Sequence, residues 1–113
     1  MKKVLLHIST GDPKQHKKLI NQILNIRKEL PEQLLEVIIH ADATALVLKS
    51  ESTVADGIAQ HITEGVVFKV CQNSLNGLKK HTEDLLPNIE VINSALVYLI
   101  TEQKNGHYYI KLG

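Results

Sequence analysis

Between Gly65 and Gln72 the chain reads Val66-Val67-Phe68-Lys69-Val70-Cys71, six residues of which five are apolar. A run this short, opening after a glycine, is how a strand of a parallel sheet looks when both of its faces are covered. It ends on Cys71, the one cysteine of the chain. Asn73 and Ser74 follow, and both are good N-cap residues for a helix that carries Leu75, Leu78, Thr82 and Leu85 on its inner face. The sequence thus predicts a thiol on a strand-to-helix turn, facing the positive end of a helix dipole, where thiolate is favoured over thiol.

The remaining segments repeat that alternation. Lys3 to Ile8 is a first apolar run, and Ser9-Thr10-Gly11-Asp12-Pro13 is a loop ending in a cap residue and a proline suited to a first helical turn; Asp12 with Gln15 mimics a capping box. Leu19, Ile20, Ile23 and Leu24 then recur at helical spacing until Pro31. Leu35 to Ala41 reads as a second strand and Ala43 to Ser50 as a short helix. Ser52 and Thr53 offer caps for a further helical piece bearing Val54, Ile58 and Ile62, which Gly65 ends. After Leu86-Pro87-Asn88, a brief strand spans Ile89 to Ile92, and Asn93-Ser94 cap a last helix. Its core, Ala95 to Ile100, is apolar on every side, which predicts deep burial or cover by another subunit. Gly106 ends it, and His107 to Leu112 alternates as a final strand.

Five strand-helix alternations predict a parallel sheet with helices on both faces and right-handed crossovers, with ligands gathering beyond the carboxyl ends of the strands. That edge collects Ser9, Thr10 and Asp12, then His40 and Asp42, then Cys71 and Asn73, then Asn93 and Ser94. At 113 residues the chain is one domain, large enough for a core without staples. A single cysteine forms no disulfide within the chain, which makes a reducing, cytoplasmic location the expectation. The opening Met-Lys-Lys-Val-Leu-Leu breaks at His7, unlike a cleaved leader, and no run reaches membrane-spanning length. With 13 basic and 12 acidic residues, bulk charge points to neither nucleic acid nor membrane.

Two stretches resemble the DsrE/DsrF-like family, in particular its small single-domain members: Cys71-Gln72-Asn73-Ser74-Leu75, and the run Leu85-Leu86-Pro87-Asn88-Ile89-Glu90-Val91-Ile92 through Gln103-Lys104-Asn105-Gly106-His107-Tyr108-Tyr109-Ile110. The resemblance implies a three-layer α/β/α fold with a five-stranded, mostly parallel sheet and assembly into homotrimers or hexamers. It also implies that Cys71 can carry sulfur as a persulfide. The sulfur-relay members hold that cysteine in a C-x-x-S-A-x-x-R-G pattern. Cys71 and Ser74 match it, and Gly77 or Leu78 does so loosely. Leu75 replaces the alanine, and the arginine is missing.

On the residues themselves Cys71 has two readings, a reactive thiol or a small apolar residue filling a strand end. A relay needs a thiolate that accepts a sulfane sulfur and hands it to another thiol. With no second cysteine to resolve the intermediate, it must pass sulfur to a partner protein. His40, ending the neighbouring strand in sequence, is the candidate to pair with the thiol or take its proton, and Asp42 to orient it. Asn73, Ser74, Ser94 and Thr10 are candidate ligand contacts, although capping alone explains Asn73 and Ser94, and most turns like the one holding Thr10 only start helices. His7, His16, His61, His81 and His107 show no zinc spacing, and there is no dinucleotide or Walker motif, so neither metal nor cofactor is expected. A Cys71-His40-Asp42 triad for acyl transfer lacks any oxyanion signature. Two functions therefore stay open, a sulfane-sulfur carrier and a non-catalytic oligomeric module that binds a small ligand or a protein.

Overall fold

A computed structural model describes residues 1–113 and contains the expected five strands. They are β1 (Lys3–Ile8), β2 (Leu34–Ile39), β3 (Val67–Cys71), β4 (Glu90–Ile92) and β5 (Tyr108–Lys111). Between them run α1 (Pro13–Glu29), a 3-10 segment (Ala41–Val47), α2 (Ala55–Thr63), α3 (Gln72–Gly77), a 3-10 turn (Thr82–Asp84) and α4 (Ala95–Lys104). Every pairing is parallel, in the order β4-β3-β2-β1-β5. The architecture is therefore α/β with helices on both faces of a wholly parallel sheet.

Strand order decides how the two faces are covered. The chain steps from β1 to β4 in one direction, so right-handed crossovers keep α1, α2 and α3 on the same face. The return from β4 to β5 passes the other strands, and α4 crosses the opposite face. Alternation sorts the side chains accordingly. Leu6, Ile8, Val37, Ile39, Phe68 and Val70 join Leu19, Ile23, Ile58 and Leu75 in a cluster of 17 buried residues. The α4 face carries a cluster of five, Leu5, Ile38, Cys71, Ala95 and Leu99.

Below this small cluster, toward the amino ends of the strands, the α4 face is polar. The Tyr98 hydroxyl donates to Glu36 while accepting from Lys69 Nζ at 2.8 Å and Lys3 Nζ at 3.1 Å. Lys3 also bridges Glu36 at 3.0 Å and Glu102 at 3.1 Å. Burial works against the Glu36 charge, but the Tyr98 and Lys3 hydrogen bonds and the Lys69 charge hold its carboxyl below the ordinary value. These charges are mutually satisfied, which is the condition for burying them at all.

Several boundaries differ from expectation. The helix after Cys71 stops after six residues, at Gly77, and Lys79 turns in the left-handed region at φ 56°. Its N-cap is Cys71 itself rather than Asn73 or Ser74, Leu78 and Thr82 are exposed, and Leu85 is buried from a separate segment. The second strand ends at Ile39, because Ala41 at φ 55° begins the 3-10 segment that replaces the helix expected from Ala43. Asp12 caps α1 by accepting from Lys14 N at 3.0 Å, without the reciprocal bond from Gln15. No helix of the chain is long and apolar enough to cross a membrane.

Candidate functional site

The sulfur of Cys71 lies where three segments meet. β3 ends on it, α3 starts from it, and α4 begins against it, because β4 pairs with β3 and its Ile92 sits level with Cys71. Ser94 then caps α4 by accepting from Val97 N at 3.3 Å. With the cap in place, the first N–H of α4, that of Ala95, is free of intrahelical partners and points at Cys71 Sγ, 3.4 Å away.

Burial raises the thiol's pKa, and the N–H groups work against it. The Ala95 N–H lowers it most, followed by the Ser74 N–H, the Ser74 hydroxyl and the Asn73 N–H, and the balance falls below the ordinary thiol value. Ser74 can supply a proton because its oxygen is already an acceptor, for Ala41 N–H at 2.8 Å. The expected dipole of a long helix is not the source, since α3 has only six residues. The stabilisation is local, from individual donors. Access is restricted: Cys71 is 2% exposed and packs against Leu5, Ile38, Ala95 and Leu99.

The other predicted residues are only partly gathered. Ile39 pairs with Val70, so His40 follows level with Cys71 on the adjacent strand. No hydrogen bond joins the two. The His40 ring stacks instead on His7, centroids 5.5 Å apart. Asp42 is exposed on the 3-10 segment and makes no hydrogen bond to His40; Gly11 packs against its backbone. Thr10 belongs to the β1-α1 loop, where its hydroxyl accepts from Asp12 N at 3.2 Å and its carbonyl receives His16 Nε2 at 2.7 Å. Ser94 acts as a helix cap, and Asn73 is exposed, contributing its backbone N–H. No group of three His, Cys, Asp or Glu side chains is arranged to hold a metal ion.

Reading the sequence alone missed His7 and Tyr109. His7 shares the α4 face with Leu5, is 6% exposed, and has Nδ1 2.7 Å from the Tyr109 hydroxyl. Burial, the Lys111 charge and His40 push its pKa down to about 4, so the imidazole is neutral. The signal was present in strand alternation, since His7 is the polar residue inside an otherwise apolar run.

No family model and no curated protein matches the chain. Solved structures do. A protein of unknown function from Methanobacterium thermoautotrophicum, MTH1491, superposes with a TM-score of 0.92 at 23% identity, covering 98% of this chain and 99% of that one. The YchN protein of E. coli gives a TM-score of 0.81 at 15% identity, over 98% and 99% of the two chains. A conserved protein of unknown function from Bacteroides thetaiotaomicron, BT1422, gives 0.74 at 16% identity, over 96% and 94%. End to end, the chain has the fold of these three proteins.

Proposed function

We propose that this is a DsrE-like sulfur carrier that holds a sulfane sulfur on Cys71 as a persulfide, in a cytoplasmic homotrimer or hexamer, and passes it to a partner protein. One observation carries the reading: the Ala95 N–H lies 3.4 Å from Cys71 Sγ and helps hold the thiol below its ordinary pKa despite burial. A carrier needs that property twice, because thiolate is both the attacking species and the leaving group. In loading, the Cys71 thiolate attacks the outer sulfur of a donor persulfide, the donor's S–S bond breaks, and the donor departs as thiolate. The new S–S bond is on Cys71, and there is no net oxidation. In unloading, an acceptor thiolate repeats the exchange and Cys71 departs as thiolate. His40, level with Cys71, is placed to exchange the proton once its ring leaves the stack with His7.

The test is intact-mass measurement after incubation with a low-molecular-weight persulfide. The expected result is a gain of one sulfur, reversed by reductant and absent in Cys71→Ser. An unchanged mass sinks the carrier reading.

The second reading, a non-catalytic binding module, is favoured by one observation: Cys71 is 2% exposed and packed among Leu5, Ile38, Ala95 and Leu99. It predicts a folded protein whose cysteine stays inert to thiol reagents.

A further inference from the structure

We propose, resting on the carrier reading of Cys71, that Tyr98 and Glu102 are positioning residues for the sulfur: the ion cluster that grips them fixes the rotation of α4 and so aims the Ala95 N–H at Sγ.

Apolar packing does not fix that rotation. The inner face of α4 is Ala95, Tyr98, Leu99 and Glu102, at the i, i+3, i+4, i+7 spacing of one helical stripe, and only Ala95 and Leu99 of these are buried. Leu96, Val97 and Ile100 are as apolar, yet they face outward. A helix that is apolar on every side buries about as much side chain after a turn about its axis as before it. Direction has to come from polar contacts, which have a required geometry.

Three strands supply them. Lys3 of β1, Glu36 of β2 and Lys69 of β3 meet beneath α4. Their roles follow from their chemistry, because an ammonium can only donate. The Tyr98 oxygen therefore accepts from Lys69 Nζ at 2.8 Å and from Lys3 Nζ at 3.1 Å, and its single proton goes to the Glu36 carboxylate. One turn further along, Glu102 accepts from Lys3 Nζ at 3.1 Å. Each of these bonds has an ionised partner, the strongest kind a side chain makes.

The lever from this grip to the sulfur is short. Ala95 and Tyr98 are three residues apart, about 4.5 Å along the axis. Once the grip is released, a rotation of about 20° carries a helix Cα through about 0.8 Å. The Ala95 N–H donates to Cys71 Sγ at 3.4 Å, a contact that weakens as the N–H turns away.

The experiment is the rate of Cys71 alkylation by iodoacetamide against pH in the folded, full-length protein. The midpoint reads ionisation of the thiol, and the limiting rate at high pH reads its exposure. Tyr98→Phe keeps the ring and leaves Glu36 paired with Lys3 and Lys69; it is expected to move the midpoint up by about 0.7 pH units, the worth of one ordinary hydrogen bond. Glu102→Gln, which loosens only the Lys3 contact, moves it less and in the same direction, and carries the test if Tyr98→Phe does not fold. Ile58→Val, a destabilising change in the core on the other face of the sheet, leaves the midpoint where it was. A midpoint unchanged in both α4 variants, or raised equally in Ile58→Val, overturns the proposal. Failure here is separable from failure of the carrier, which is read by mass as the gain of one sulfur on the unaltered protein.

Discussion

His7 gives the fold a pH dependence whose sign is fixed. Its pKa is about 4 in the folded chain against an ordinary 6.5, so between these values the unfolded chain binds a proton that the folded one refuses. Stability contributed by His7 is complete above pH 6.5 and is lost as the pH falls toward 4. The amount is on the order of 2 kcal/mol after solvent screening. His61, also lowered chiefly by burial, adds to the loss with the same sign. Urea denaturation across this range is expected to show stability rising with pH, with a shallower slope in His7→Phe; an unaltered slope contradicts the assignment. At this scale the sequence was partly legible. Cys71 at the end of a buried strand and His40 level with it both follow from reading apolar runs. The donor to the sulfur does not, because Ala95 lies 24 residues away and reaches Sγ only through the pairing of β4 with β3. Nor does the fate of Asp42, whose side chain stays in solvent on a segment that turns 3-10 where a regular helix was expected.

Among the elements, α4 matters most to the site because its first N–H is a ligand of the sulfur. Ser94→Ala removes the cap, costs about 1 kcal/mol of stability, and loosens the turn that aims Ala95. The expected outcome is a lower denaturation midpoint together with a raised thiol pKa in the same variant. A stability loss with the thiol unmoved separates the cap from the site. Most element types along this chain were legible because apolar runs agree with the final fold, and Asp12 and Ser94 cap α1 and α4 as expected; Ser52, Thr53, Asn73 and Ser74 do not cap, since α2 starts from Val54 and α3 from Cys71. Element ends were less so. Leu75, Leu78, Thr82 and Leu85 keep a helical rhythm, yet Gly77 ends the helix, and Lys79 and Lys80 turn back on it through bonds to the Asn76 and Leu75 carbonyls at 3.0 and 2.9 Å. Rhythm reports which residues face inward, and two consecutive short segments can share it.

For the whole molecule, the exposed face of α4 is the feature that an isolated chain leaves unexplained. Leu96, Val97 and Ile100 are 55%, 63% and 55% exposed, and Tyr108, Tyr109 and Ile110 are exposed along edge strand β5. Exposed apolar side chains along one helix and one sheet edge favour association. Sedimentation at micromolar concentration is expected to give an oligomer, and Val97→Glu, which puts a charge at the most exposed of the three α4 positions, to shift it toward monomer. A monomeric parent protein rejects the assembly. Association also bears on the sulfur, because α4 both lines Cys71 and presents that surface. The most direct test of the account is the rate of Cys71 alkylation against pH in the folded protein, compared with the urea-unfolded chain. A peptide-stabilised thiolate predicts a folded midpoint below the unfolded one. A folded midpoint at or above it, or a thiol that never reacts until the chain unfolds, contradicts the central claim.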